Sequence, residues 1–394
     1  MKRYALLLLL GGCVETRDPI TGTQSLHIDL KTPTGDPMNP LTSTTVTIDV
    51  TAIGPDGQPD TTYNNTVQVY VNFLGTLTPY LGGPPLSTIA MSSGKATNQT
   101  INLPPVFGPA TLWLDDGTSL NPTYASGASP TLWFRDPYIM DIQTPANEMS
   151  LDALEKSPLE MKQVTVNSSR NGATGRLVVT SVFAQGYTVS DVSCAAGGAP
   201  PCTLATNPKV NAVGYDHKMV FSFSAARDQN GCLIKEGQVI DGFAGGVSEF
   251  NGLTEIGFPQ SFVTATKDRC DAADVNAARI PAPGLLDSTW FTNKIMFERN
   301  EAGLIEIDNA KVCNLDADYD TYKQWKIDPG GVGGDCKTNK NVINVISTGV
   351  VPTDPATLVG KTLPKVIGVL RPVNIGSFNV WIVYPRKSED LVLQ

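Results

Sequence analysis

From residue 25 onward, apolar and polar positions alternate in short runs with a period of two. Leu26-His27-Ile28-Asp29-Leu30, Thr45-Val46-Thr47-Ile48-Asp49-Val50, Val67-Gln68-Val69-Tyr70-Val71 and Ala110-Thr111-Leu112-Trp113-Leu114 each send every second side chain to one face. Turn clusters such as Gly54-Pro55-Asp56-Gly57-Gln58-Pro59-Asp60 separate them. Alternation of this kind predicts half-buried strands, and strands at this spacing predict an antiparallel sandwich over residues 25–138. Trp113 and Trp133 are expected in its core, as large aromatics usually are. His27 shares a strand with apolar neighbours on the other face and is expected on the sheet surface.

The pattern breaks between residues 137 and 170, where Pro137, Pro145 and Pro158 flank the charged pair Glu155-Lys156. A linker is placed at 139–161, and its one helical stretch, 149–161, is interrupted by Pro158. Alternation resumes afterwards. Residues 175–184 predict a long strand, 187–191 its hairpin partner and 217–223 a third strand. Residues 234–243 lead to a hairpin over 247–256 that turns at Asn251-Gly252, a pair that readily takes positive φ. The last region repeats the plan: 303–312 opens it as 175–184 opened the one before, and 367–373 and 378–386 follow as the matching later strands. The fold class is therefore all-β, with a sandwich followed by two smaller regions at 162–285 and 286–394.

Composition agrees with strands and turns. Of 394 residues, 36 are Gly and 29 Pro, and only 17% are charged. The first residues change the picture more. Lys2 and Arg3 precede a short apolar run, residues 4–10, and Leu10-Gly11-Gly12-Cys13 closes it. Charge, apolar core and small residues in that order describe a secretory signal, and the run is far shorter than the ~20 apolar residues of a membrane-spanning helix. The quartet resembles the lipobox of bacterial lipoproteins. That resemblance implies a signal peptide at 1–12, thioether lipidation of Cys13, and a lipidated tether at 13–24 joining the protein to the membrane. Val14 in place of Asp implies, by the same resemblance, sorting to the outer membrane. Without Lys2 and Arg3 the 29 basic residues become 27 against 38 acidic, a net of −11. Such a balance argues against nucleic acid as the partner, because that binding rests on clustered cations.

Six further cysteines, Cys194, Cys202, Cys232, Cys270, Cys313 and Cys336, form an even set suited to an oxidising compartment. Proximity favours the pairs 194–202, 232–270 and 313–336. With no Cys-x-x-Cys and only His27 and His217, a zinc cluster is not expected.

Two resemblances bear on fold. Residues 50–59, followed by the strand at 66–71, resemble the B–C corner of bacterial immunoglobulin-like domains. The sequence Glu249-Phe250-Asn251-Gly252-Leu253-Thr254-Glu255-Ile256 and the ending Pro385-Arg386-Lys387-Ser388-Glu389-Asp390 resemble the oligonucleotide/oligosaccharide-binding (OB-type) barrels that accompany secreted bacterial nucleases. They imply an immunoglobulin-like sandwich followed by two OB-type barrels, without the separate catalytic domain of the nucleases.

Candidate chemistry is sparse. Asn314, Asp316, Asp318 and Asp320 alternate as the first ligands of a Ca²⁺ loop do, but the glycine at the sixth position is missing and Ile327 stands where a glutamate is needed. A solvated acidic loop, with no cofactor, is the expected reading. Glu249 and Glu255 could act as a carboxylate pair, but both fall at a turn expected to be wet. Gly330-Gly331-Val332-Gly333-Gly334 lacks the Lys-Ser/Thr of a phosphate loop and predicts a flexible loop near Cys336. No histidine-centred triad is evident, so no enzyme is expected. The expected function is a non-catalytic cell-envelope lipoprotein for adhesion, assembly or scaffolding, with an envelope protein or polysaccharide as partner. The alternative is an oligosaccharide- or nucleic-acid-binding module that uses a barrel face.

Overall fold

The computed structural model describes residues 22–73, 84–117, 125–145, 156–194, 210–211, 214–264, 270, 275–339, 341–375 and 378–393. Cys13, the expected lipidation site, the expected signal and residues 13–21 of the expected tether lie outside them, as do Cys202 and residues 149–155 of the helical stretch expected at 149–161. Among the described residues no helix is long and apolar enough to cross a membrane. The protein is mostly β, and the chain divides into two compact units, one ending at Phe134 and the other running from Arg135 to the end.

The first unit is a single curled sheet. Its strands are β1 (Ser25–Leu30), β2 (Thr45–Ile53), β3 (Thr66–Phe73), β4 (Ser87–Ala90), β5 (Lys95–Asn102), β6 (Pro109–Asp115), β7 (Ser126–Ala128) and β8 (Leu132–Trp133). They pair in the order β4-β3-β6-β7-β1-β2-β5, with β8 against β6. All these pairings are antiparallel except β1 with β7. The period-two alternation is what folds it: Val46, Ile48, Val50 and Ala52 of β2 are fully buried, as are Val67, Val69, Leu112 and Leu114. Burying such side chains is worth ~1.5–3 kcal/mol each, which suits a unit whose core rests on packing. Trp113 points away from Leu112 and Leu114 and is half-buried, as is Trp133, so neither sits in the core as expected. His27 is exposed, 3.2 Å from Asp29.

The second unit begins with a short helix, α1 (Ile139–Gln143), whose Ile139, Ile142 and Gln143 are buried. Part of the expected linker is therefore core. The next sheet holds β9 (Gln163–Val166), β10 (Gly175–Phe183), β11 (Gly186–Cys194), β12 (Val210–Asn211), β13 (His217–Phe221), β14 (Val239–Ile240), β15 (Gly242–Phe250) and β16 (Leu253–Phe262). The last sheet holds β17 (Gly284–Leu285), β18 (Leu304–Val312), β19 (Trp325–Asp328), β20 (Ile343–Val345), β21 (Thr362–Ile375), β22 (Phe378–Tyr384) and β23 (Leu391–Val392). Two helices, α2 (Ile295–Arg299) and α3 (Ala317–Tyr322), accompany it.

Both sheets follow one plan. In the last, β18 pairs β19, β19 pairs β20, β20 runs parallel to β22, β22 pairs β21, and β21 returns to β18 to close a ring. In the other, β10, β11, β13, β16 and β15 repeat those steps, with β13 and β16 parallel. There β14, one residue ahead of β15, makes the closing contact with β10. Numbered by position in each ring, the order is 1-2-3-5-4-1. At the β15–β16 hairpin Asn251 has φ +52° and Gly252 +82°, as the Asn-Gly pair requires.

The two rings pack as one body. Gly303 lies so close to His217 that a Cβ there would stand 2.5 Å from the imidazole. Arg386 donates to both oxygens of Asp390 and also to Glu236 and the Thr180 carbonyl of the preceding ring. The Pro-Arg-x-x-x-Asp ending thus acts as a clamp. Disulfides join Cys232 to Cys270 and Cys313 to Cys336; the expected partner of Cys194 lies outside the described residues.

Candidate functional site

The acidic loop follows the end of β18. Asp316 caps α3, its carboxylate accepting from the Asp318 amide at 3.1 Å. Lys326 of β19 then places its Nζ 2.6 Å from Asp316 and 2.7 Å from Asp318. The alternating oxygens expected to face water or Ca²⁺ instead converge on an internal ammonium. Burial alone would lower the pKa of Lys326, but its bonds to the two aspartates outweigh burial and raise it. Burial likewise pushes Asp316 up, and the Lys326 contact together with the Asp318 and Tyr319 amides more than reverses that. Asn314 and Asp320 are exposed and do not join the pair. Among the described residues no group of three or more His, Cys, Asp or Glu is arranged to hold a metal.

Beside Lys326 a pocket of about 640 Å³ opens on the last ring. Ring positions two and three supply Lys326 from β19 and Ile343 and Asn344 from β20. Position five supplies Asn379, Val380 and Trp381 from β22. The segment ahead of β20 adds Lys337, Asn339 and Asn341. An aromatic group forms one wall: Phe297 stacks on Trp381 with ring centres 5.5 Å apart, and Phe291 and Trp290 meet Phe297 edge-on. Cys336, which lines the pocket, is tied by its disulfide to Cys313 at the end of β18. Asp328 accepts from the amides of Gly330, Val332 and Gly333, which orders the glycine-rich loop expected to be flexible.

This lining is suited to holding a ligand. Four asparagines offer amides that both donate and accept, two exposed lysines (Lys294 and Lys337) add positive charge, and the rings offer flat apolar faces. Among the described residues that line the pocket there is no carboxylate and no histidine. The sequence signal for this site was Lys337-Thr338-Asn339-Lys340-Asn341-Val342-Ile343-Asn344, an amide-rich run ahead of a strand.

A second constellation lies where the two rings meet. Lys218 of β13 is fully buried, Glu301 is 1% exposed and Gln143 is 2% exposed. The Lys218 Nζ donates to Gln143 Oε1 at 2.6 Å, and Gln143 Nε2 donates to Glu301 Oε1 at 2.8 Å. The Thr254 amide also donates to Glu301 Oε1, while Glu301 Oε2 has no hydrogen-bond partner. Burial lowers Lys218 to about 8 and raises Glu301 to about 7. Glu249 and Glu255, expected to be wet and unshifted, stand near Lys218, and burial raises both. Glu249 accepts from the Ser157 amide at 2.8 Å and from the Thr254 hydroxyl, and the charges of Arg371 and Lys218 bear on Glu255; no local pattern announces Ser157, Lys218 or Arg371, all distant in sequence. His217, next in the chain, has its Nδ1 2.7 Å from Ser190 Oγ, and burial pushes it down to about 4.

Comparison of the chain with protein families, curated proteins and solved structures finds no match.

Proposed function

We propose that the protein is a non-catalytic cell-envelope lipoprotein whose last barrel binds an oligosaccharide. The 1-2-3-5-4-1 rings with one parallel pair support the OB-type reading, and the β4-β3-β6-β7-β1-β2-β5 order, with β1 parallel to β7, supports an immunoglobulin-like first domain. OB-type barrels bind through the face of strands two and three and the loops beside it, which is where the pocket lies. The observation that carries the proposal is the pocket lining: aromatic faces beside four asparagine amides. Sugar hydroxyls both donate and accept, as amides do, and the C–H faces of a pyranose pack on flat rings. Nucleic acid is disfavoured by the mature net of −11 and by the two aspartates that neutralise Lys326.

A glycan array of envelope and capsular polysaccharides, followed by calorimetry on each hit, tests this. Trp381→Ala is expected to weaken binding at least about tenfold, a loss of ~1.4 kcal/mol, and the exposed Asn379→Ala to weaken it less. The purified protein should neither retard nor cleave DNA or RNA. No glycan hit, or variants that bind as the wild type does, would contradict the reading. Anchoring through Cys13 belongs to the same proposal; a Cys13→Ala protein that kept its palmitate label would refute it.

A further inference from the structure

Lys218, Gln143 and Glu301 present an amine, a carboxamide and a carboxylic acid in one dry chain of hydrogen bonds. We propose that they react with one another, so that the mature protein carries an intramolecular amide cross-link between Lys218 Nζ and Gln143 Cδ.

The geometry meets the needs of the reaction in order. The nucleophile must be an uncharged amine, and a fully buried lysine is driven toward that form because the ammonium loses its water. It must stand beside the carbonyl, and the Nζ donates to Gln143 Oε1 at 2.6 Å, one bond away from Cδ. The leaving nitrogen must receive a proton, and Gln143 Nε2 is 2.8 Å from a glutamate whose burial favours its protonated form. Holding reactants in place this way replaces a bimolecular encounter with effective concentrations of roughly 10⁵–10⁸ M.

The step balances without an outside reagent. The Nζ lone pair forms a bond to Gln143 Cδ, and the carbonyl becomes tetrahedral. The tetrahedral carbon restores a lone pair to Nε2, which until then donates to Glu301; Glu301 now gives it the carboxyl proton, the Cδ–Nε2 bond breaks with its electron pair, and ammonia leaves. Glu301 recovers a proton from the former Nζ and ends unchanged. One amide replaces another, nothing is oxidised or reduced, and escape of ammonia makes the step one-way. The product also removes a buried ammonium, which a protein interior solvates poorly.

The placement gives the bond a purpose. Gln143 lies nine residues beyond Phe134, where the first unit ends, and β13 lies inside the earlier ring. The cross-link would fasten the chain entering the second unit to that unit's own sheet. In an anchored envelope protein, tension reaching this unit from its N-terminal side would then meet a covalent bond before it reached β9.

Mass spectrometry of the reduced, denatured, purified protein tests this. The intact mass should be lower than the sequence requires by one ammonia, and tryptic mapping should yield a branched peptide joining residues 143 and 218. Lys218→Met should carry its full mass. Glu301→Gln, which keeps size and hydrogen bonding, should fold by circular dichroism and remain unlinked. A wild-type protein at full mass with separate, unmodified Gln143 and Lys218 peptides overturns the proposal, as does an ammonia loss mapped elsewhere. A Glu301→Gln protein that cross-links as completely as the wild type overturns the role given to Glu301.

Discussion

Two buried residues titrate in opposite senses. Glu301 is raised from 4.5 to about 7, so the native state keeps a proton that the unfolded chain has lost; that stabilisation is full below pH 4.5 and disappears as pH rises through 7. His217 is lowered from 6.5 to about 4, so the unfolded chain binds a proton that the native state refuses; stability is lost as pH falls from 6.5 toward 4. The two effects oppose each other over the same window. In Glu301→Gln one of the opposing carboxyls is gone while Glu249 and Glu255, also raised by burial, remain, so the slope of stability against pH between 4.5 and 6.5 should be more positive than in the wild type. The difference can reach about 1.4 kcal/mol per pH unit, measured by urea unfolding at several pH values. Parallel profiles would mean that Glu301 is not protonated in the native state. The sign is the same whether or not Lys218 is cross-linked, since an amide there leaves Glu301 buried with no cation beside it.

At the scale of elements, the strands were legible because burial of one face writes itself into the sequence every second residue. β2 and β6 show it, and Asn251-Gly252 marked the turn between β15 and β16 because only such pairs accept its dihedrals. What local sequence does not carry is which strand lies beside which, or what covers a face. Glu249 and Glu255 read as wet because what meets them is distant in sequence: the Ser157 amide donates to Glu249, and the charges of Arg371 and Lys218 bear on Glu255. Trp113 read as core because its strand is apolar on one side, yet it occupies the other. The acidic loop read as a failed Ca²⁺ motif, and only the fold brings Lys326 between its aspartates. Two of the three disulfides expected from proximity, 232–270 and 313–336, are formed; the third, 194–202, lies partly outside the described residues. The bridge between Cys313 and Cys336 closes a separation of 23 residues, and removing both sulfurs should cost about 3 kcal/mol in unfolding experiments. Because Cys336 lines the pocket, the Cys313→Ser, Cys336→Ser double variant should also bind the proposed oligosaccharide more weakly; unchanged stability and affinity would show that the loop is held by Asp328 alone.

On the scale of the whole molecule, the two barrels share one strand plan but not one fate. The face of β13 and β16 in the earlier barrel is closed by α1 and by Glu301, and its polar groups turn inward to form the Lys218–Gln143–Glu301 chain. The matching strands of the last barrel, β20 and β22, leave a pocket of about 640 Å³. On the reading proposed above, the first barrel serves cohesion and the second recognition. Hydrogen exchange of the full protein with and without a bound oligosaccharide tests that division most directly. Protection should appear in residues 337–345 and 378–382, with little change in β10, β11 and β13. Protection confined to the first unit, or none in the last barrel at saturating ligand, would contradict it.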